Sequence, residues 1–335
     1  MQPVRTLSLI SALAASMLVA ACAAPEPKSG PPPRLSALPA VTAPADNPMT
    51  PEKIALGKQL FFDPRLSGSG KMSCENCHYR DRGWAVPEPL SRRDDGKMNT
   101  RHTPTLYSVA YLTLWYWDGR AATMEAQTLA AWRNQMGADP DKIAAILNGI
   151  PAYRSAFNGV YNMDANGANI VKSLTTYLRT LNNDDSPWDR YEKGVANAVS
   201  EDAKAGFRLF MGKGRCAGCH TPPTFMNNDF HNIGLESGKA NPDPGRGAIS
   251  KKPEDTGAFR TPTLRSVALS APYFHDGSAI TLEEAVRYMA DGGKPDPNKS
   301  PLLVKTGLTD PEIRQIVEFL KTLSSDEPLV RPTLP

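Results

Sequence analysis

The sequence predicts an all-α protein made of two tandem, related domains with long loops, and three observations predict it. A C-x-x-C-H unit occurs in each half, at residues 74–78 and 216–220. A helix-start signal precedes each unit, at Thr50 and at Ser200. Apolar residues at helical spacing close each half, and no long alternating run indicates a sheet. The closing helices carry Ile170, Val171, Leu174, Tyr177, Leu178 and Leu181, and Ile313, Ile316, Val317, Leu320 and Leu323.

A second repeated block indicates that the two halves are copies of one another. Thr103-Pro-Thr-Leu-Tyr-Ser-Val-Ala recurs as Thr261-Pro-Thr-Leu-Arg-Ser-Val-Ala, and the match continues without a gap to Glu125 and Glu283. The offset is constant, since 261 − 103 and 283 − 125 both equal 158. A match of this length predicts a duplicated domain. We place the first domain at residues 51–190 and the second at residues 191–335.

The N-terminal residues predict export. Residues 1–21 combine Arg5 with an apolar stretch too short to span a bilayer, and small residues lead into Cys22. This pattern is typical of a bacterial lipoprotein signal peptide with Cys22 as the lipidated N-terminus; a plain secretory peptide is the alternative. Residues 22–50 are rich in proline and alanine and predict an extended tether. We therefore expect a periplasmic protein that is anchored to the membrane by lipid on Cys22.

The net charge and the number of cysteines exclude further classes of function and structure. The 335 residues carry a net charge of +3 with scattered signs, which gives no basis for nucleic-acid binding. Cys22 and the two C-x-x-C-H units account for all five cysteines, so none is left for a disulfide.

The C-x-x-C-H units predict covalent attachment of haem c. Two thiols on one turn can each add to a vinyl group of the porphyrin, and the adjacent histidine then ligates the iron. A zinc site of four thiolates is one alternative, but zinc ribbons keep their C-x-x-C units closer together in sequence. A thioredoxin-like pair is another, but it uses a single motif in a βαβ setting. The two predicted haem groups are held by Cys74, Cys77 and His78 and by Cys216, Cys219 and His220.

The two copies differ where a sixth iron ligand would lie. Met289 follows the second block on a predicted helix over residues 282–289, and a thioether ligand raises the potential of a haem. The equivalent position in the first copy is Ala131, since 289 − 158 = 131, and alanine cannot ligate iron. The difference predicts a closed second haem, ligated by His220 and Met289, and an open first haem. Two alternatives remain: Met289 as a core residue, and Met136 as a ligand that closes the first haem.

With these features, the sequence resembles the bacterial dihaem cytochrome c peroxidase/MauG superfamily over roughly residues 50–325. The resemblance implies two tandem cytochrome c-like haem domains, with H2O2 reacting at the N-terminal haem and electrons relayed from the C-terminal haem. Besides both C-x-x-C-H units, it is carried by Arg101-His-Thr-Pro-Thr-Leu, Trp117-Asp-Gly-Arg-Ala, Pro272-Tyr-Phe-His-Asp-Gly and Thr281-Leu-Glu-Glu.

The resemblance also implies roles for single residues. Trp117 matches a tryptophan that relays electrons between the haems; a plain core aromatic is the alternative. Gln127 matches a distal-pocket glutamine, and Met289 matches the methionine ligand. A calcium ion usually lies between the domains and is held partly by backbone oxygens that match Ser270 and Pro272.

Three departures from the family pattern matter. Classical members carry a ligating histidine in the loop after the first motif, whereas Asp94 stands about there in this chain. Gln135 replaces the distal glutamate and cannot serve as acid or base, so Glu125 or a water has to substitute. His102 replaces the calcium asparagine and is a poor ligand for a hard cation. We expect the remaining histidines, His231 and His275, to hydrogen-bond a haem propionate or the backbone.

These features predict a dihaem peroxidase-type oxidoreductase that uses H2O2. The missing loop histidine favours MauG-like oxidation of a residue on a partner protein, and MbnH-type members are a plausible closer match. One alternative is a classical cytochrome c peroxidase that removes H2O2 with a small cytochrome or copper protein as donor. The other is a non-enzymatic electron carrier, which requires both haems to be six-coordinate.

Overall fold

The computed structural model describes residues 1, 35, 37–325 and 330–335. The predicted signal peptide, Cys22 and much of the predicted tether therefore lie outside the described residues. Within the described part, no helix is long and apolar enough to cross a membrane. In chain order the helices are α1 (Pro51–Phe62), α2 (Met124–Asn134), α3 (Pro140–Asn148), α4 (Pro151–Tyr161), α5 (Gly167–Leu178), α6 (Pro187–Glu192), α7 (Glu201–Met211), α8 (Gly247–Ser250), α9 (Leu282–Ala290) and α10 (Asp310–Lys321).

The predicted mostly helical architecture with long loops is confirmed. Two three-residue strands, β1 (Phe230–Asn232) and β2 (Ala258–Arg260), form an antiparallel pair that the sequence pattern did not predict. Thr50 and Ser200 cap α1 and α7 as predicted, and each side chain accepts a hydrogen bond from a backbone amide of the first turn. The capping box of Thr309 and Glu312 opens α10.

The first hydrophobic core forms where α1 crosses α5. Phe61 of α1 packs edge-on against Tyr177 of α5, with ring centroids 5.4 Å apart. Gly57 lies at the crossing, where a Cβ atom would overlap the carbonyl oxygen of Ser173. The close approach of the two helices therefore requires glycine at this position.

The second core repeats this arrangement where α7 crosses α10. Phe210 of α7 packs against Phe319 of α10 at a centroid distance of 5.2 Å, and Trp188 approaches Phe319 at 4.8 Å. Gly206 lies at the crossing, where a Cβ atom would overlap the carbonyl oxygen of Gln315. In both domains the α-helix before the C-x-x-C-H unit thus meets the last helix over a glycine.

The change from one core to the other falls between Leu181 and Trp188. Trp188 and Tyr191 of α6 both pack in the second core. The boundary placed at residues 190 and 191 therefore runs through α6, whose buried aromatic residues belong with the second domain.

The two repeat blocks meet through a pair of equivalent hydrogen bonds. The His102 amide donates to the His275 carbonyl at 2.7 Å, and the Arg260 amide donates to the Trp117 carbonyl at 2.8 Å. The repeat offset relates the two bonds, since 260 − 102 and 275 − 117 both equal 158. The junction therefore has an approximate twofold relationship between the copies, which we call the repeat junction.

Gly57→Ala and Gly206→Ala test the two helix crossings. Each new methyl group would meet backbone atoms, which have no rotamer by which to move away. We expect each variant to lose about 1–3 kcal/mol of unfolding free energy. Gly159→Ala in α4 is the matched control, because no atom lies within 4 Å of the position of its Cβ. The control should be neutral or stabilising by up to about 1 kcal/mol in urea unfolding. Equal stabilities for all three variants would contradict the close crossings.

Candidate functional site

The first C-x-x-C-H unit lies in a cavity of the first domain, which we call the N-terminal cavity. Cys74, Cys77 and His78 line it together with residues of α2. The Nδ1–H group of His78 donates to the Trp84 carbonyl at 2.8 Å, which leaves Nε2 unprotonated. Burial lowers the pKa of His78 to about 4, so the imidazole is neutral.

The second unit repeats this geometry in the C-terminal cavity. Cys216, Cys219 and His220 line it, and Met289 of α9 contributes to the same wall. His220 donates from Nδ1 to the Phe225 carbonyl at 3.0 Å, and burial lowers its pKa to about 4. The same local fold therefore presents a neutral imidazole with a free Nε2 in both domains.

The donor groups of both cavities fit haem c. Each cavity holds two unpaired thiols beside an imidazole whose unprotonated nitrogen is free to ligate iron. Burial raises the pKa of Cys74 and of Cys216 to about 12, so these thiols are neutral. The two units occupy different cavities, and this separation rules out the alternative of one zinc ion held by all four thiolates. The fold and the two sites define a protein with two cytochrome c-like domains.

The N-terminal cavity receives amide and apolar side chains from α2 and its C-terminal end. Gln127, Ala131, Gln135 and Met136 all line it. Ala131 therefore occupies a place in the first cavity that corresponds to Met289 in the second. The Met136 sulfur lies 3.8 Å from the Cys74 sulfur, in contact with a thiol of the first C-x-x-C-H unit.

Glu125, predicted as a possible substitute acid, does not line either cavity. Its Oε1 accepts hydrogen bonds from Arg179 at 2.8 Å, Thr175 at 2.9 Å and Asn47 at 3.1 Å. Burial opposes ionisation, but Arg179 and Asn47 outweigh it and lower the pKa of Glu125. This hydrogen-bonded carboxylate lies outside the cavity, which does not favour Glu125 as the acid; its catalytic role stays a prediction.

Asp94 also lies outside the cavity. Its carboxylate accepts hydrogen bonds from the Ser69 amide at 2.9 Å and the Ser69 hydroxyl at 2.5 Å, and its own amide donates to the Gln135 carbonyl at 2.8 Å. These bonds hold the loop after the first motif against the turn near Ser69.

Trp117 lies in the wall that the two cavities share. Its indole Nε1–H donates to the His102 carbonyl at 2.8 Å, and its own carbonyl accepts from the Arg260 amide. Its ring also approaches that of His275, at a centroid distance of 6.4 Å. The residues that line both cavities are His102, Pro104, Thr105, Trp117 and Arg260.

His275 and His231 both line the C-terminal cavity. His275 forms a 2.7 Å hydrogen bond with the Glu236 carboxylate and stacks on Phe259. His231 contacts the Ser300 hydroxyl at 3.1 Å. Both histidines therefore have side-chain partners, and the predicted hydrogen bond to a haem propionate stays a prediction.

The residues predicted for calcium also border the C-terminal cavity. Ser270, Pro272 and His102 line it together, and His102 brings an imidazole, which is a poor ligand for a hard cation. Calcium stays a prediction. Among the described residues, one group of His, Cys, Asp and Glu side chains lies close enough for a metal ion: Glu236, His275 and Asp276. The ammonium of Lys239 already binds both carboxylates of that group, at 2.8 and 2.9 Å.

Comparisons with known proteins agree with this architecture. Residues 51–197 match the family model of di-haem cytochrome c peroxidase, and residues 203–324 match that of cytochrome c. The chain is 35% identical over 367 residues to cytochrome-c peroxidase IdrP1 of Denitromonas iodatirespirans, covering 99% of this chain and 97% of the relative. It is 37% identical over 305 residues to methylamine utilization protein MauG of Methylorubrum extorquens, covering 88% and 85%. The crystal structure of a MauG-like protein associated with microbial copper homeostasis superposes with a TM-score of 0.79 at 32% identity, covering 90% of this chain and 95% of that one.

The chain belongs to the di-haem cytochrome c peroxidase/MauG family. Its predicted fold of two cytochrome c-like domains is confirmed, and so is its class as a peroxidase-type oxidoreductase. Its cytochrome c domains imply haem c as the cofactor.

Sequence reasoning missed Arg260, which lies in the wall between the cavities. The sequence did contain a signal for it. The repeat offset pairs Arg260 with His102, and each of these residues stands directly before a matched Thr-Pro-Thr-Leu block.

Glu125→Gln tests whether this carboxylate acts in stability or in catalysis. Because the variant keeps the shape but loses the charged hydrogen bonds, we expect a loss of about 1–3 kcal/mol in unfolding free energy at pH 7. That contribution is complete above the ordinary pKa of 4.5 and is lost as the pH falls through the lowered native value. The rate of reaction with H2O2, measured by stopped-flow absorption, should stay at the wild-type value. A large fall in that rate with unchanged stability would restore Glu125 as the acid.

Proposed function

We propose that this protein uses H2O2 at the N-terminal cavity to oxidise a residue of a partner protein, with electrons drawn through the C-terminal cavity. The two C-x-x-C-H units each attach one haem c in this proposal, with His78 and His220 as iron ligands. The haem irons supply the redox chemistry, and an iron with a vacant position can bind peroxide. The observation that carries the proposal is the difference between Ala131 and Met289 at equivalent places.

That difference gives the two cavities different roles in the proposal. Met289 and His220 both line the C-terminal cavity, and the thioether of Met289 would serve as a second protein ligand to a haem iron held there. Ala131 leaves the corresponding place in the N-terminal cavity without a ligand. Met136 contacts the thiol of Cys74, which supports a role at the attachment edge of the ring.

Gln127 and Gln135 orient peroxide in the N-terminal cavity. Their amides can donate to one oxygen and accept from the other, but neither can supply a proton as an acid. Because Glu125 is committed to Arg179 outside the cavity, a water molecule takes the role of proton carrier in this proposal.

Trp117 passes electrons between the cavities. Its indole borders both of them, and hydrogen bonds to His102 and from Arg260 fix its position. A fixed aromatic side chain shared by two redox sites needs no conformational change before each transfer.

The anchored Asp94 loop favours oxidation of a partner protein over simple removal of peroxide. Asp94 is bound to Ser69, and no histidine is present between residues 78 and 102 to close the N-terminal site. Relatives of both kinds are similar to this chain, one named MauG and one named cytochrome-c peroxidase. A small cytochrome or copper protein as electron donor is therefore the second candidate. Rapid turnover with reduced cytochrome c as the sole donor would favour it.

We propose a periplasmic location for these reactions, with Cys22 as the lipid anchor. Its support is the sequence of residues 1–22. Apart from Cys22, which carries the lipid in this proposal, every cysteine of the chain belongs to a haem-binding unit, so none is left over for a structural disulfide.

Electron paramagnetic resonance of the ferric protein tests the division between the cavities. We expect one high-spin signal from the N-terminal haem and one low-spin signal from the C-terminal haem. Met289→Ala should convert the low-spin signal to high-spin, because it removes the sixth ligand. Met136→Ala is the paired control and should leave both signals unchanged. Two low-spin signals in the wild type, with a high-spin signal appearing in Met136→Ala, would establish the electron-carrier alternative.

Trp117→Phe tests the relay. The substitution keeps an aromatic ring but removes the hydrogen bond to His102, which costs about 0.5–1.5 kcal/mol of stability. After H2O2 is mixed with the fully reduced protein, oxidation of the C-terminal haem should lag behind that of the N-terminal haem. Trp115→Phe, which lines the N-terminal cavity only, is the control. Simultaneous oxidation in Trp117→Phe would contradict the relay.

A further inference from the structure

Arg260 is a buried cation without a carboxylate partner among the described residues. It is 6% exposed and lines both cavities. Its Nε reaches the Tyr116 carbonyl at 3.4 Å, and its Nη1 reaches the Thr261 carbonyl at 3.3 Å. Both distances are long for hydrogen bonds of this type. Burial lowers the pKa of Arg260 to about 10, and no carboxylate among the described residues offsets this shift.

The other two arginines that line the N-terminal cavity already have carboxylate partners. Arg101 lines the N-terminal cavity, but it binds Asp118 and Asp243, both at 2.7 Å. Arg120 lines the same cavity and binds Asp118 at 2.8 Å. Among the arginines that line the N-terminal cavity, Arg260 thus differs from Arg101 and Arg120 in lacking a carboxylate partner among the described residues.

A guanidinium in this position needs an anion from the cavity. Removing a charged group from water is costly unless an opposite charge or good hydrogen bonds replace the water. A guanidinium offers five N–H donors in a planar fork, which matches the two oxygens of a carboxylate. The equivalent residue of the first copy, His102, is also buried, and its Nε2 has no hydrogen-bond partner among the described residues. At the shared wall, the first copy therefore places an unsatisfied imidazole nitrogen, and the second places a guanidinium with only two long hydrogen bonds.

We propose that Arg260 binds haem propionate carboxylates from both cavities and thereby positions the two haems relative to Trp117. Propionates are the ionised groups of haem, and a side chain that borders both cavities can contact one from each. The Arg260 amide already holds the Trp117 carbonyl, so one residue links the relay to both cofactors. The inference rests on haem occupancy of the two cavities and does not depend on the reaction with peroxide.

The charge of Arg260 has a predictable electrochemical consequence. A fixed positive charge beside the propionates offsets their negative charge, which otherwise stabilises the ferric over the ferrous state. Arg260 therefore raises the reduction potentials of both haems. Because the site is buried, salt screens this effect less than it would at the surface.

Redox titration of the purified holoprotein tests the proposal in three variants. Arg260→Gln removes the charge, and we expect the midpoint potentials of both haems to fall. Arg260→Lys keeps the charge but loses the planar fork, so the potentials should lie closer to wild type. Arg246→Gln is the matched control, because Arg246 binds the carbonyls of Asp118 and Gly119 yet lines neither cavity. Its potentials should equal those of the wild type.

Resonance Raman spectra of the same samples provide a second readout. The propionate bending bands should shift in Arg260→Gln and in Arg260→Lys, because the bidentate hydrogen bonds are lost in both. Unchanged bands and potentials in Arg260→Gln, with both haems attached, would overturn the proposal. Should Arg260→Gln fail to attach haem, Arg260→Lys decides. Loss of haem from the lysine variant as well would overturn the proposal, since that variant retains the cation.

Discussion

The hydrogen bonds of the repeat junction are the constraint on which the rest of the molecule depends. In each bond a backbone amide of one copy donates to a backbone carbonyl of the other. The His102 amide donates to His275, and the Arg260 amide donates to Trp117. A further bond from the Trp117 indole to the His102 carbonyl holds the ring. Because protein interiors are closely packed, a side chain held at both its backbone and its ring has little room to tilt. The two cavities therefore share a wall of constant geometry.

The duplicated backbone carries different chemistry at equivalent positions. Ala131 and Met289 differ in whether a ligand is available to iron, and His102 and Arg260 differ in charge. Each domain retains its own core, in which the α-helix before the C-x-x-C-H unit crosses the last helix over a glycine. The two domains can thus diverge at the cavities without disturbing the cores that support them.

Two carboxylates near the N-terminal cavity bind partners outside it. Glu125 binds Arg179, and Asp94 binds the turn at Ser69. What remains at the cavity from α2 and its C-terminal end is the pair of amides, Gln127 and Gln135, with apolar neighbours. Such a lining can orient a small neutral oxidant such as H2O2, while proton delivery is left to water.

The sequence by itself determined the features that depend on neighbouring residues or on the repeat. Helix caps such as Thr50, the two C-x-x-C-H units and the pairing of Ala131 with Met289 are of this kind. In each of these cases, either the interacting atoms belong to a few neighbouring residues, or the constant repeat offset identifies the equivalent residue in the other copy.

Only the tertiary structure decided the environment of the charged side chains. It placed Glu125 against Arg179, assigned the aromatic residues of α6 to the second core and left Arg260 between the cavities without a carboxylate partner among the described residues. The physical reason is that the ionisation and hydrogen bonding of a side chain depend on partners and burial supplied from elsewhere in the chain. Arg179 lies on a different helical segment from Glu125, and Arg260 acquires its role only where two distant blocks meet.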